Sequence, residues 1–145
     1  PATPPELSPG GAPILGARWL LRAEAPRLTL VTLGPLGLAA LAAAKAETGW
    51  SVLDARCVSP LDAPSLLEAA ACGSVVVAEE GTTRGGLGSA VLELYAAHGR
   101  SPRVRLMGMP DTFVPHGDAR VQRAELGLDA EGLRRAGREL LGAGG

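Results

Sequence analysis

Five residues in the middle of the chain, 74–78 (Ser-Val-Val-Val-Ala), set the terms for any fold this sequence adopts. An uninterrupted apolar run of strand length has no polar side to turn toward water, so both of its faces must be covered. Such strands sit inside parallel sheets with helices packed on either side. The remaining segments supply the parts. Residues 28–33 (LTLVTL) read as a strand stopped by Gly34-Pro35, residues 50–55 (WSVLDA) as another, and residues 103–107 (RVRLM) as a further one, while 17–21 (ARWLL) make a short candidate near the start. Helical segments separate them. Pro35 suits the first turn of a helix reaching residue 47, where its missing N–H is not needed. Leu36, Leu38, Leu41 and a series of alanines place apolar groups on almost every face of that helix, which predicts burial all round. Asp62 is a cap for a helix to residue 71 that tolerates Pro64 in its first turn. A helix carrying Leu87, Val91, Leu94 and Tyr95 follows the glycine-rich stretch 81–88. The tail helix, 129–141, aligns Leu133, Ala136, Gly137, Leu140 and Leu141 on one face. Long crossovers between successive strands require those strands to be parallel. The expected fold class is therefore α/β, a three-layer α/β/α sandwich.

At 145 residues the chain is one domain, with a core of Leu, Val and Ala because aromatic residues are only 3%. That scarcity removes the stacking platforms on which single-stranded nucleic acid is bound. A net charge of −1, with both signs interspersed, gives no general attraction to nucleic acid or an anionic membrane. The longest apolar run, residues 36–44, is far below the ~20 residues that cross a bilayer. Cys57 and Cys72 form no CxxC pair and read as buried free thiols. Residues 1–13, with Pro4, Pro5, Pro9, Gly10 and Gly11, have linker composition, and the chain opens without Met. The expectation is a linker from upstream domains followed by one domain over residues 14–145.

In open parallel sheets functional groups gather beyond the carboxyl ends of the strands. Gly34-Pro35, Arg56, Glu79-Glu80 and Pro110-Asp111 fall there. The stretch from Glu79 to Ser89 runs from a strand end into a helix start. Bare amides at a helix N-terminus, joined by Arg84, can hold a phosphate. The spacing matches neither GxGxxG nor the P-loop, however, and two carboxyl groups oppose an anion. A tight crossover whose glycines permit close packing is the alternative. His116 is a candidate acid or base, but no second His, Cys or paired carboxylate stands at a triad or metal spacing. His98, at a helix end, complements the helix dipole.

These same residues carry a resemblance. Residues 54–62 (DARCVSPLD) resemble the DxRFxKPLD element of the 1-deoxy-D-xylulose-5-phosphate synthases, a family of thiamine-diphosphate enzymes in the transketolase superfamily. Glu79-Glu80 followed by residues 85–91 (GGLGSAV) resembles EE…GGxGSAV. Gly108, Pro110, Asp111, Phe113, His116 and Gly117 resemble GxPDxFxxHG, and residues 125–129 resemble ELGLD. The EE…GGxGSAV element is shared with transketolases and the β subunits of 2-oxo-acid dehydrogenases, whereas the last two elements point to the synthases. Cys57 and Ser59 replace the usual Phe and Lys.

The resemblance implies the third, C-terminal domain of such an enzyme, with a five-stranded sheet whose edge strand, 17–21, is antiparallel. It further implies a cytoplasmic homodimer that condenses pyruvate with glyceraldehyde 3-phosphate, releases carbon dioxide and feeds isoprenoid, thiamine and pyridoxal biosynthesis. Thiamine diphosphate and Mg²⁺ would be held by upstream catalytic domains of the same polypeptide, as would both substrates. No catalytic, cofactor or metal residue is carried over to this chain. The remaining alternatives are the matching domain of a transketolase or 2-oxo-acid dehydrogenase, and a free-standing phosphate-binding module using residues 81–88.

The strand-end residues Arg56, Glu79, Glu80, Arg84, Gly85, Gly86, Gly88, Asp111, Phe113, His116 and Gly117 are expected to form a domain or dimer interface rather than a substrate site. A phosphorylated sugar there would meet Glu79, Glu80 and Asp111 as like charges. At ~4 Å and an effective dielectric of about 20, each such contact costs on the order of 4 kcal/mol before screening.

Overall fold

The computed structural model describes residues 16–112 and 116–142; the candidate linker 1–13 and Phe113 lie outside the described residues. Strands β1 (Arg18–Leu21), β2 (Leu28–Thr32), β3 (Trp50–Asp54), β4 (Ser74–Thr82) and β5 (Arg103–Met109) form one sheet in the order β1-β3-β2-β4-β5. Strands β2 to β5 are mutually parallel and β1 runs antiparallel to β3, as expected. Helices α1 (Leu36–Lys45), α2 (Ala63–Ala70), α3 (Leu87–Ala97), α4 (Ala119–Glu125) and α5 (Ala130–Gly142) complete the chain.

Strand periodicity divides the interior in two. On β4, Val76 and Ala78 point into a core closed by α1 and α5. Val75 and Val77 point the other way, into a core closed by α2 and α3. All four are buried, which is the double covering their sequence demands. Tyr95 of α3 reaches across the second core and donates from its hydroxyl to the Leu66 carbonyl of α2 at 2.9 Å. Burial raises its phenol above the usual range, so the group stays a neutral donor. Asp62 caps α2 through Ser65 N at 3.1 Å and also accepts from Ala17 N at 2.9 Å, tying the start of the domain to that helix. Burial pushes the Asp62 carboxyl up, but hydrogen bonds from Ser65 and Ala17 outweigh it and hold it below its ordinary value.

Three expectations are corrected, and one helix is added. Helix α1 is not buried all round: Leu38 is 78% exposed, and Pro35 and Ala42 are exposed as well, because α1 is an outer layer whose far side faces no other part of the described domain. Strand β4 runs four residues beyond Ala78, since Thr82 pairs with Met109 after an irregularity in the ladder. Glu79 and Glu80 are therefore strand residues. Helix α4 has no sequence forecast because it has no apolar face; it buries no residue and starts on Asp118, which accepts from Arg120 N at 2.8 Å. The thiols of Cys57 and Cys72 are free but only half-buried.

Two contacts seat α5. Gly137 lies against the Trp50 indole, where a Cβ would come within 2.8 Å of Cζ3 and closer still to Cη2. Arg134 and Arg138 each place Nε 2.6 Å from Glu47 Oε1, just beyond the end of α1. The Arg134 hydrogen bond, opposed by desolvation and reinforced by Arg138, holds the Glu47 carboxyl below its ordinary value.

Gly137→Ala should destabilise the chain by about 1–3 kcal/mol in urea unfolding, since overpacking against a rigid indole exceeds the ~1 kcal/mol gained in helix propensity. Glu47→Gln should cost about 1 kcal/mol at neutral pH, the Arg138 arm being largely screened. Because the folded-state value is depressed, the wild-type advantage is complete above about pH 4.5 and fades as pH falls through that folded value. Unfolding curves of the two proteins that converge in acid would verify the sign; a constant gap down to pH 3 would refute it.

Candidate functional site

Local chemistry at the end of β4 explains the glycine-rich stretch. Helix α3 begins after Gly86, which has no side chain with which to cap the first amides. The cap comes from the neighbouring strand. Glu79, 5% exposed, accepts from Leu87 N at 2.9 Å and from Gly88 N at 3.1 Å, one bond to each carboxyl oxygen. Free N–H groups and the positive end of the helix dipole both favour such a partner. The approach leaves no room for a side chain at residue 86: a Cβ there would stand 2.8 Å from Glu79 Cδ and closer to Oε2. Ser89 fastens the turn, accepting from Gly85 N at 3.0 Å and donating to the Thr83 carbonyl at 3.3 Å. Gly85 itself has φ +73°, a left-handed conformation suited to glycine.

The anion position at this helix start is thus filled by the chain's own carboxyl group. Of the two sequence readings, the tight crossover describes the geometry and a phosphate cradle does not. Thiamine diphosphate, which the resemblance implies for the whole enzyme, does not fit these residues for the same reason. Among the described residues no three His, Cys, Asp or Glu side chains converge as metal ligands either.

The other expected edge residues are distributed as follows. Glu80 pairs with Arg123 of α4, and both side chains are more than one-third exposed. Arg84 lies 3.6 Å from Asp111 at the surface. The His116 carbonyl accepts from Gln122 Nε2. Gly117 has φ +87° and leads to the α4 cap at Asp118. Arg56 is not part of this cluster. It takes φ +61°, donates its own N–H to Asp54 Oδ1 at 3.0 Å and its guanidinium to the Gly16 carbonyl at 3.4 Å. Among the described residues it forms no ion pair. Its place is at the far side of the edge, where the chain enters β1.

Sequence reasoning missed Arg123 and Gln122, since α4 was not foreseen, and met Leu126 only as part of the ELGLD element. Leu126 and Arg123, with Glu80, Met109 and Gln122, line an open groove of about 210 Å³ between α4 and the ends of β4 and β5. The one sequence signal that points here is Asp118, a capping residue type immediately before the first helical residue, Ala119. The ELGLD element has a clear local task. Leu126 ends α4, Gly127 turns with φ +72°, and Asp129 accepts from Gly132 N at 2.8 Å to begin α5.

The parallel sheet with its antiparallel edge, and a strand-end edge closed by internal caps and ion pairs, define a transketolase-type C-terminal domain. Residues 17–133 match the family model described as "Transketolase, C-terminal domain", and the chain belongs to that family. Its relatives sharpen the assignment. All 145 residues are 77% identical to a 1-deoxy-D-xylulose-5-phosphate synthase of Myxococcus xanthus, covering 25% of that protein. Over 125 residues, 81% of this chain, it is 46% identical to the synthase of an Anaeromyxobacter species, covering 20% of it. The chain thus spans a quarter or less of the length of these relatives. A solved structure described as a split-gene transketolase, inactive β4 tetramer, superposes with a TM-score of 0.75 and 32% identity over 86% of this chain and 42% of its own. The transketolase of Leishmania mexicana shares the fold, with a TM-score of 0.66 over 89% of this chain and 18% of its own.

The Glu79 cap and the bare Gly86 should behave as one unit. Glu79→Ala strands two helix amides and should destabilise the chain by about 2–3 kcal/mol. Gly86→Ala should cost a similar amount through its collision with the carboxyl group. In the Glu79→Ala background, however, the Gly86→Ala cost should fall to less than half, as the obstructing group is gone. Strict additivity in chemical unfolding would argue against the arrangement.

Proposed function

We propose that this chain is the C-terminal domain of a 1-deoxy-D-xylulose-5-phosphate synthase, and that it supports domain packing and assembly while the chemistry takes place elsewhere. The full-length enzyme would condense pyruvate with glyceraldehyde 3-phosphate and release carbon dioxide. Thiamine diphosphate and Mg²⁺ would be bound by residues upstream of this chain, in a cytoplasmic homodimer. The observation that carries the reading is 77% identity, without a break at either end, to a protein bearing that name.

The role of the strand-end edge follows from its chemistry. Glu79 already occupies the helix start, Glu80 is matched by Arg123, and Arg84 by Asp111. Each anion-binding group is either saturated internally or sits beside a carboxylate. A protein surface can meet such alternating charges; a phosphorylated sugar would be repelled by half of them. The groove beside Leu126 is likewise mixed, apolar at Met109 and Leu126 and charged at Glu80 and Arg123. This is the composition of an interface rim.

Glu80→Ala in the full-length enzyme tests this division of labour. The pair it breaks is half-exposed, so the domain should lose up to about 1 kcal/mol and its melting temperature about 2–4 °C. The KM for glyceraldehyde 3-phosphate should stay within about twofold of wild type, since a twofold change is only ~0.4 kcal/mol of binding. A KM raised tenfold or more with melting temperature and dimer unchanged would place substrate at this edge and overturn the reading.

A further inference from the structure

Helix α4 differs from the other four helices in what it is attached to. Each of the others packs along at least one strand or helix, and α4 packs along none. The groove of about 210 Å³ separates it from the ends of β4 and β5. It buries no residue; Ala119, Arg120 and Val121 are all exposed, Val121 by 53% although it is apolar. Seven residues are too few for a helix to hold itself together, because isolated helices below ~12–15 residues are marginal in water. What keeps α4 formed must come from its two ends and from side chains that cross the groove.

The two ends are unequal. Downstream, Leu128 N donates to the Arg123 carbonyl at 2.7 Å and Gly127 N to the Ala124 carbonyl at 3.1 Å, which closes the last turn. Leu128 sits in the core closed by α1 and α5, and Leu126 packs against that core. Gly132 of α5 lies against the Gly127 backbone with no room for a Cβ. That end is pinned. Upstream, residues 116–121 are all exposed. Asp118 accepts from Arg120 N and Gln122 donates to the His116 carbonyl, but both bonds lie within the segment and move with it. Across the groove, Arg123 pairs with Glu80 of β4, and both side chains are more than one-third exposed. Arg123 Nε makes no aligned hydrogen bond, so the attraction there is one of charge alone. A half-exposed pair of this kind holds weakly and is screened by salt.

We propose that α4 is a strap, pinned at Gly127 and Leu128 and latched by the Glu80–Arg123 pair, that opens as a unit while the rest of the domain stays folded. Closed, the two charges neutralise each other across the groove. Open, α4 unwinds, Met109 is uncovered, and the Glu80 carboxylate and the Arg123 guanidinium are both released at the carboxyl edge. That edge then has two states, and the balance between them shifts with ionic strength and with any charged surface that competes for either partner. The strap is a property of the fold and is independent of which enzyme the domain serves.

Native-state hydrogen exchange of the 145-residue chain, read residue by residue by NMR, tests the strap. The amides of Gln122 to Leu126 should exchange more than about tenfold faster than those of Val75 to Ala78 in β4, which open only when the whole domain unfolds. Their exchange should also depend on urea less steeply than that of β4, because opening one short helix exposes little surface. A difference below tenfold, or a urea dependence as steep as that of β4, would show that α4 opens only with the domain and would overturn the proposal. Glu80→Gln tests the latch. The pair is half-exposed, so the variant folds, and its α4 amides should exchange about two- to fivefold faster than those of wild type. High salt should speed α4 exchange in the wild type and leave the variant unchanged. Rates at α4 that ignore Glu80→Gln, or that respond to salt equally in both proteins, would show that opening leaves the pair intact and would remove the latch.

Discussion

Everything in this domain is arranged around the double burial of β4. Its four central residues, Val75 to Ala78, alternate between two cores, and neither side chain row can be left wet. Each apolar row of this kind is worth several kcal/mol in transfer free energy, at roughly 1.5–3 kcal/mol for a fully buried valine or leucine. Both faces of the sheet must then carry helices. Parallel neighbours β2 and β5 follow, because only crossover connections deliver helices to a sheet while returning the chain to the same end. The pairing of α1 with α5 on one side and α2 with α3 on the other is the consequence, not an additional choice.

The same constraint accounts for the chemistry at the carboxyl edge. Burial along β4 continues as far as Glu79 and carries that side chain into the interior, where an ionisable group without partners would be costly. The start of α3 supplies two amide donors, and the absence of a side chain at Gly86 lets them approach. What looks in the sequence like a phosphate-binding loop is thus a self-complementary cap. The outer residues of the edge, Glu80, Arg84 and Asp111, are paired at the surface, where each pair contributes little to stability. They remain available for recognition. The buried half of the motif belongs to folding, and its exposed half to whatever meets the domain.

Legibility differed by element for physical reasons. Strands with unbroken apolar runs and helices with clear caps, such as α2 behind Asp62, were placed within a few residues. Helix α4 shows no periodic signal, only the capping residue Asp118, because periodicity reports burial and α4 buries nothing. The ends of β4 and β5 lie beyond the sequence expectation because polar residues and glycine follow Ala78 in β4 and Gly108 interrupts the apolar run of β5 before Met109. Their strand conformation comes from pairing with each other rather than from local preference. In the candidate site, the grouping of Glu79 with Gly86 and Gly88 was legible from the spacing between strand and helix. The separation of Arg56 from that cluster was not, since it depends on β2 lying between β3 and β4 in the sheet.

The sequence by itself determined the class of fold, the family resemblance and the composition of the carboxyl edge, because hydrophobic periodicity, capping residues and turn glycines act over a few residues along the chain. The tertiary structure decided what those residues do. It assigned the two amides of α3 to Glu79, gave Arg123 to Glu80 across 43 positions of sequence, and left one face of α1, apolar from Leu36 to Ala44, in water. Those outcomes depend on the order of strands in the sheet and on which layer lies outermost. Local sequence carries no information about either until the chain has closed on itself.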